Sequence, residues 1–535
     1  MAALTSAAPL AAQRAHVDSP ARRPVSLVVL IAIDQMRADY LDRFGRQLSG
    51  GLGRLRRDGT AYMGALQDHA TTETAPGHAT MLSGREPAHT GIVTNDLGVG
   101  DPSTRVLGAP NAPGASPARF RGTTLADWLI ASDSATRILS VSRKDRGAIL
   151  PVGRARGDVY WFASGRFTTS TYYADTLPDW VRAYNERGGI ARLAGTSWTL
   201  LRPAADYREP DSIPFEHDGS DIVFPHRLPS TADSLIARIA DYPWMDSLSL
   251  DFALDGVRRL QLGTRPHPDL LVISLSTTDA VGHAYGPDSR EIHDQVLRVD
   301  HWLGWFLDSL ATMVPRERTV IALTGDHGVT SIPEYAVAVR RRHAGRVSLE
   351  DVARQADRTL SARYRMDFRV RFDGGIILAD VAALRARGVN VDSLSNALAR
   401  AVGRRSGIAH AYTPRSLRAA PATDPTARRW RRTLPDDFAW LLCAAVKPEW
   451  VWSNGKSTGA SHGQMNREDL NVPIVLAGPG IAAQTITRTV RTVDIAPTLA
   501  AYLGLRIPEP IDGRPLTEAL ASAPPSTLRA TRRER

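Results

Sequence analysis

Four short apolar runs, far apart in the chain, each end in something polar or in glycine. They are VSLVVLIAID at 25–34, PDLLVISLSTTD at 268–279, RTVIALTGDHG at 318–328 and NVPIVLAGPG at 471–480. Runs of about four to eight apolar residues, rich in β-branched types and closed by turn formers, predict strands buried on both faces of a parallel sheet. Helical patterns lie between them. In 290–313, Ile292, Val296, Val299, Leu303, Phe306 and Leu310 recur at three- and four-residue spacing, which makes one apolar helix face. Strand, loop and helix in alternation imply an α/β sandwich with a mostly parallel central sheet flanked by helices.

Two segments interrupt this rhythm. Residues 151–262 are rich in Trp, Tyr, Pro and Asp, and 336–434 hold DVARQADRTLSARYR, FRVRFDGGIILAD and a Pro/Arg-rich stretch. Both are expected as inserted cap segments on a single domain, 25–520, whose core is built from 25–150, 263–335 and 435–520. Residues 1–24 are Ala-rich and are expected as an N-terminal tail or a remnant export signal, which would put the protein in the periplasm or outside the cell. Residues 521–535 are expected as a disordered tail. No run reaches the roughly 20 apolar residues of a membrane helix, so no membrane span is expected. The net charge is +10, and 63 of the 66 basic residues are arginine, scattered along the chain. Without an aromatic-interleaved groove pattern this charge does not point to nucleic acid as a partner. The single cysteine, Cys443 in WLLCAAV, has no partner for an intrachain disulfide and is expected as a small buried hydrophobe.

The ends of the runs carry the chemistry. Asp34 closes the first, Asp279 the second, and Asp326 with His327 the third; His283 follows Asp279 by four residues, and His462 precedes the fourth run. Ligands of open α/β sheets bind beyond the carboxyl ends of the strands. If the strands are neighbours, three aspartates and three histidines converge on one edge. Taken singly, an Asp after a strand is usually a cap or turn former, and a His near glycine is usually a loop residue. The joint set is different. Mixed Asp/His ligands without thiolates suit catalytic zinc, and six suit two ions, an arrangement that serves phosphoryl transfer.

The ordered motifs IAIDQMR (31–37), TETAPGHATMLSG (72–84), GIVTND (91–96), SRKDRGA (142–148), TTDAVGHAYGP (277–287), TGDHG (324–328), GASHG (459–463) and VDIAPTLAAYLG (493–504) resemble those of the alkaline phosphatase superfamily. They are most similar to its threonine-nucleophile branch, which holds the phosphate-irrepressible alkaline phosphatases and the nucleotide pyrophosphatase/phosphodiesterases. The resemblance runs from Val25 to about Leu516. It implies an alkaline-phosphatase-like fold and two Zn²⁺. One ion would be held by Asp279, His283 and His462, the other by Asp34, Asp326, His327 and the Thr74 oxygen.

Residues 71–84 offer four threonines as nucleophile: Thr71, Thr72, Thr74 and Thr80. Pro76 fits the first turn of a helix, which puts Thr74 at the helix entrance, where backbone donors and the dipole favour an anion. The resemblance also places the nucleophile two residues before this proline. His78 and Glu73 are expected to be structural. The implied reaction is in-line attack by Thr74, giving a phospho-threonine that water hydrolyses. A monoester carries one more charged non-bridging oxygen than a diester, and Lys144 and Arg146 match the pair that the monoesterases use on it. Asn95 matches an asparagine used on a phosphoryl oxygen by both branches. The expected substrates are therefore small phosphate monoesters, with a phosphodiesterase on the same scaffold as the alternative, and a monomer is expected.

Overall fold

The computed structural model describes residues 25–365, 370–453, 455 and 459–520. The two expected tails, 1–24 and 521–535, lie outside the described residues. Nine strands form the central sheet, in the order Gln484–Ile486, Thr60–Tyr62, Ile474–Ala477, Thr319–Thr324, Leu27–Ile33, Asp269–Leu275, Ile138–Ser142, Asp158–Ala163 and Arg166–Thr168. Leu27–Ile33 is central and pairs in parallel with both Thr319–Thr324 and Asp269–Leu275. Its side chains alternate between two cores. Leu27, Val29, Ile31 and Ile33 enter one; Val28, Leu30 and Ala32 enter the other. This is why the run is apolar throughout rather than alternating.

The helix Arg290–Ala311 lies on the first face, and all six residues of its expected apolar stripe are buried. Ser289 starts it by accepting a hydrogen bond from the Ile292 N–H at 3.0 Å, satisfying a donor that has no partner within the helix. The opposite face carries Thr74–Met81, Asp145–Ile149 and Ile495–Leu503.

The fourth apolar run departs from the expected parallel arrangement. Ile474–Ala477 is antiparallel to both Thr319–Thr324 and Thr60–Tyr62. An apolar run reports burial on two faces, which is the same in either direction. Direction matters for the site all the same. Ile474 lies opposite Thr324, so the strand starts at the edge where the parallel strands of the sheet end. An antiparallel strand delivers what precedes it to that edge, and here that is the loop bearing His462.

The expected cap segments are partly woven into the core. Within 151–262, Asp158–Ala163 pairs in parallel with Ile138–Ser142, and Arg166–Thr168 folds back on it. The helix Trp244–Leu260 packs against Ile138–Ser142 and Asp269–Leu275. The other segment builds a separate four-stranded antiparallel sheet, Arg371–Asp373, Ile376–Leu378, Leu442–Val446 and Ile408–Tyr412. This lobe reaches past residue 434 and holds Cys443, which is free and buried. Among the described residues no helix is long and apolar enough to cross a membrane.

Candidate active site

Six of the predicted ligands meet at one edge of the sheet. Asp34 follows Leu27–Ile33 directly, and its N–H is held by the Leu275 carbonyl of the next strand at 2.8 Å. Asp326 and His327 follow Thr319–Thr324; Asp34, Asp326 and His327 are all fully buried. Asp279 and His283 sit four residues apart on the helix Thr277–Tyr285, so both side chains share one face.

The three histidines are oriented alike. Nδ1 lies on a main-chain carbonyl in each: His327 on Gly328 at 3.0 Å, His283 on Ala460 at 2.9 Å and His462 on Thr72 at 2.8 Å. Donation from Nδ1 leaves each Nε2 with a lone pair facing the aspartates. His283 Nε2 is 3.3 Å from Asp279 Oδ1, His462 Nε2 is 3.4 Å from the same oxygen, and the two Nε2 atoms are 3.0 Å apart. His327 Nε2 is 3.5 Å from Asp34 Oδ1 and 3.6 Å from Asp326 Oδ2. The His327 and His462 rings stack at 3.7 Å, which places His327 beside both sets.

These atoms fit divalent cations. Asp34 Oδ1 and His327 Nε2 are buried with no hydrogen-bond partner among the described residues, a costly state for polar atoms that have none. Three carboxylates converge, and Lys144 is the only lysine or arginine in ion-pair contact with them among the described residues. Burial, and then repulsion from Asp279 and Asp326, raise the Asp34 pKa. Burial alone would also raise Asp279, but Lys144, His283 and His462 outweigh it and hold that carboxyl well below its usual range. Burial and the neighbouring His462 keep His327 neutral far below its usual pKa, the form in which imidazole ligates a metal.

Thr74 is the first residue of the helix Thr74–Met81, with Glu73 at the cap position. Its Oγ1 is 3.3 Å from Lys144 Nζ, and that ammonium also lies 2.5 Å from Asp34 Oδ2 and 2.7 Å from Asp279 Oδ2. Lys144 therefore touches one carboxylate of each set and the nucleophile candidate. Asn95 Oδ1 accepts the Ala75 N–H at 2.8 Å, which leaves the Asn95 amide N–H groups to donate to an anion. Arg146 stands in the first turn of Asp145–Ile149, and its Nε is buried with no acceptor among the described residues.

The profile of the type I phosphodiesterase / nucleotide pyrophosphatase family matches residues 28–464. The chain belongs to this family. The family's profile spans the whole of the site just described, from Asp34 to His462. Alkaline phosphatase PhoV of Synechococcus elongatus is 29% identical over 518 residues, 92% of each chain. Alkaline phosphatase PafA of Elizabethkingia meningoseptica is 27% identical over 529 residues, 92% of this chain and 94% of that protein. The crystal structure of wild-type PafA superposes with a TM-score of 0.85 at 25% identity, covering 93% of this chain and 99% of PafA. The family's description and the names of these relatives are those of phosphoric ester hydrolases.

The two residues expected to be structural are hydrogen-bonded to groups of the site. Glu73 Oε2 accepts the Asn95 N–H at 2.7 Å, and so holds the loop that presents the Asn95 amide. His78 Nδ1 bonds the Thr74 carbonyl at 2.9 Å and lies 3.2 Å from Asp326 Oδ2, while Nε2 meets Ser274 Oγ at 2.8 Å. The spacing Glu73–Thr74 and the i,i+4 relation of His78 to Thr74 are the only sequence signals for either.

Proposed function

We propose that this chain is a zinc-dependent alkaline phosphatase that hydrolyses phosphate monoesters through a phospho-threonine formed on Thr74. The observation that carries the reading is the meeting of Lys144 Nζ with Thr74 Oγ1 at 3.3 Å between two Asp/His ligand sets. Two Zn²⁺ would be held by Asp279, His283 and His462 and by Asp34, Asp326, His327 and Thr74, where they supply positive charge that favours the threonine alkoxide and offsets charge on the transferring group.

The chain's own groups do the rest. Thr74 Oγ attacks phosphorus as the ester P–O bond breaks in line with it; the alcohol leaves and phospho-threonine remains. Water then cleaves the Oγ–P bond, releasing inorganic phosphate and restoring the hydroxyl. Asn95 donates its amide to a non-bridging oxygen. Lys144 and Arg146 neutralise the additional charge of a monoester, by positioning and electrostatics rather than proton transfer. His283 has a side chain 42% exposed, so the Asp279 set is the side by which ester and leaving group reach solvent.

The relatives named alkaline phosphatases support monoester hydrolysis, whereas the family description favours a diesterase. The kcat/KM ratio for a matched aryl monoester and diester decides between them, and faster diester turnover would overturn this reading. Removing zinc with a chelator should abolish turnover, and readdition should restore it. A periplasmic or secreted location and a monomeric state belong to the same proposal, checked by fractionation and light scattering.

A further inference from the structure

Gln35 follows the ligand Asp34 in IAIDQMR, and no step of the proposed reaction uses it. It is fully buried and has a left-handed backbone, φ 65°, a conformation that strains any residue but glycine. In that conformation its main-chain N–H donates to Asp326 Oδ1 at 3.0 Å. Its side-chain Nε2 donates to Asp279 Oδ1 at 2.8 Å, the oxygen nearest His283 Nε2 and His462 Nε2. A single residue thus joins the two ligand sets, one through its main chain and the other through its amide.

The arrangement is a poor one for filling space alone. Gln35 Oε1 is buried without a donor among the described residues, a penalty that methionine or leucine would escape. The amide also needs a gap in the neighbouring helix: a Cβ added at Gly282, between the ligands Asp279 and His283, would come 1.7 Å from Gln35 Oε1. A glycine in that helix interior lowers its intrinsic stability relative to alanine. The strained backbone aims the main-chain N–H at Asp326, while the orphaned acceptor and the helical glycine accompany the hold of the amide on Asp279, whose main-chain carbonyl it also meets at 3.4 Å.

We propose that Gln35 is a positioning residue of the metal centre: its amide fixes the Asp279 carboxylate in the ligating orientation, and Gly282 supplies the room for it. The inference rests on the two-ion reading above. Groups that orient ligands typically change metal affinity about 10–100-fold when removed.

Two variants separate the amide from the fold. Gln35→Gly keeps the left-handed main chain and its N–H to Asp326 without the amide. Gly282→Ala keeps the glutamine but occupies its place. Zn²⁺ titration of the metal-free proteins against a competing chelator, Co²⁺ absorption spectra and melting of the metal-free proteins give the readouts. Wild type should take two ions. Each variant should bind one of them about 10–100-fold more weakly, keep the other, alter one set of Co²⁺ bands and melt metal-free close to wild type. The double variant should be no worse than Gln35→Gly. Wild type taking fewer than two ions would overturn the two-ion reading and this inference with it. Two ions bound with unchanged affinity in both variants, or affinity lost equally at both ions along with metal-free stability, would overturn the role of Gln35 alone.

Discussion

Replacing both Lys144 and Arg146 by alanine should remove monoester selectivity and leave much of the diester reaction. Lys144 Nζ is 3.3 Å from Thr74 Oγ1, so a phosphoryl group on that oxygen falls within its reach. Arg146 Nε is buried and has no acceptor among the described residues. A hydrogen bond to a charged group is worth about 1.5–3 kcal/mol, so losing both costs the monoester roughly 3–6 kcal/mol, or on the order of 10²- to 10⁴-fold in kcat/KM. A diester lacks the extra charged oxygen and should lose no more than about tenfold. The assay is kcat/KM for matched aryl substrates at saturating zinc. Zinc must saturate because Lys144→Ala also leaves Asp34 and Asp279 without their shared ammonium. Equal losses on the two substrates would refute the assigned role of the pair.

Thr74→Ala should lower turnover by on the order of 10³-fold or more, and acid-quenched enzyme given ³²P-labelled monoester should then carry no label on protein, while Thr74→Ser still does. Thr94→Val deletes the bond of Thr94 Oγ1 to Asp373 Oδ2 at 2.6 Å, which ties the second lobe to the Asn95 loop. It should cost about 1.5–3 kcal/mol of stability in a denaturant titration and lower kcat more than KM. Glu216 is buried, and burial followed by repulsion from Glu291 and Asp288 pushes its pKa up to about 9. The folded state then keeps a proton that the unfolded state releases above its ordinary carboxyl pKa. Stability should therefore fall as pH rises from about 4.5 to about 9 and level off beyond. Glu216→Gln should flatten that decline in melts taken across the same range; an unchanged slope would show that Glu216 does not cause it.

Asp34, Asp279, Asp326 and His327 were legible from the chain because each closes an apolar run, and buried parallel strands bring such ends together. His283 was legible through its i,i+4 relation to Asp279. His462 was not legible in this way, since it precedes its strand; it reaches the edge because Ile474–Ala477 runs antiparallel, a direction that hydrophobicity does not encode. Thr60–Tyr62 and Gln484–Ile486 are three residues each, too short to show a period. Asp158–Ala163 carries Tyr, Trp and Phe beside turn-broken sequence, which obscured its place in the central sheet.

The residues that sequence reasoning read as structural, or did not single out, share one physical property. Glu73, His78 and Gln35 act through partners set by the fold, and each bonds a main-chain atom of another residue. Glu73 receives the Asn95 N–H from 22 residues away. Gln35 reaches Asp326 across 291 residues and Asp279 across 244, and it does so only from a left-handed φ that no spacing announces. Ligand residues are recognisable because metal chemistry restricts their types to a few. The residues that orient them are restricted by geometry instead, so any donor of the right length can serve. A buried polar side chain next to a ligand, strained and incompletely satisfied, is then the structural mark to look for, and in this chain it selects Gln35.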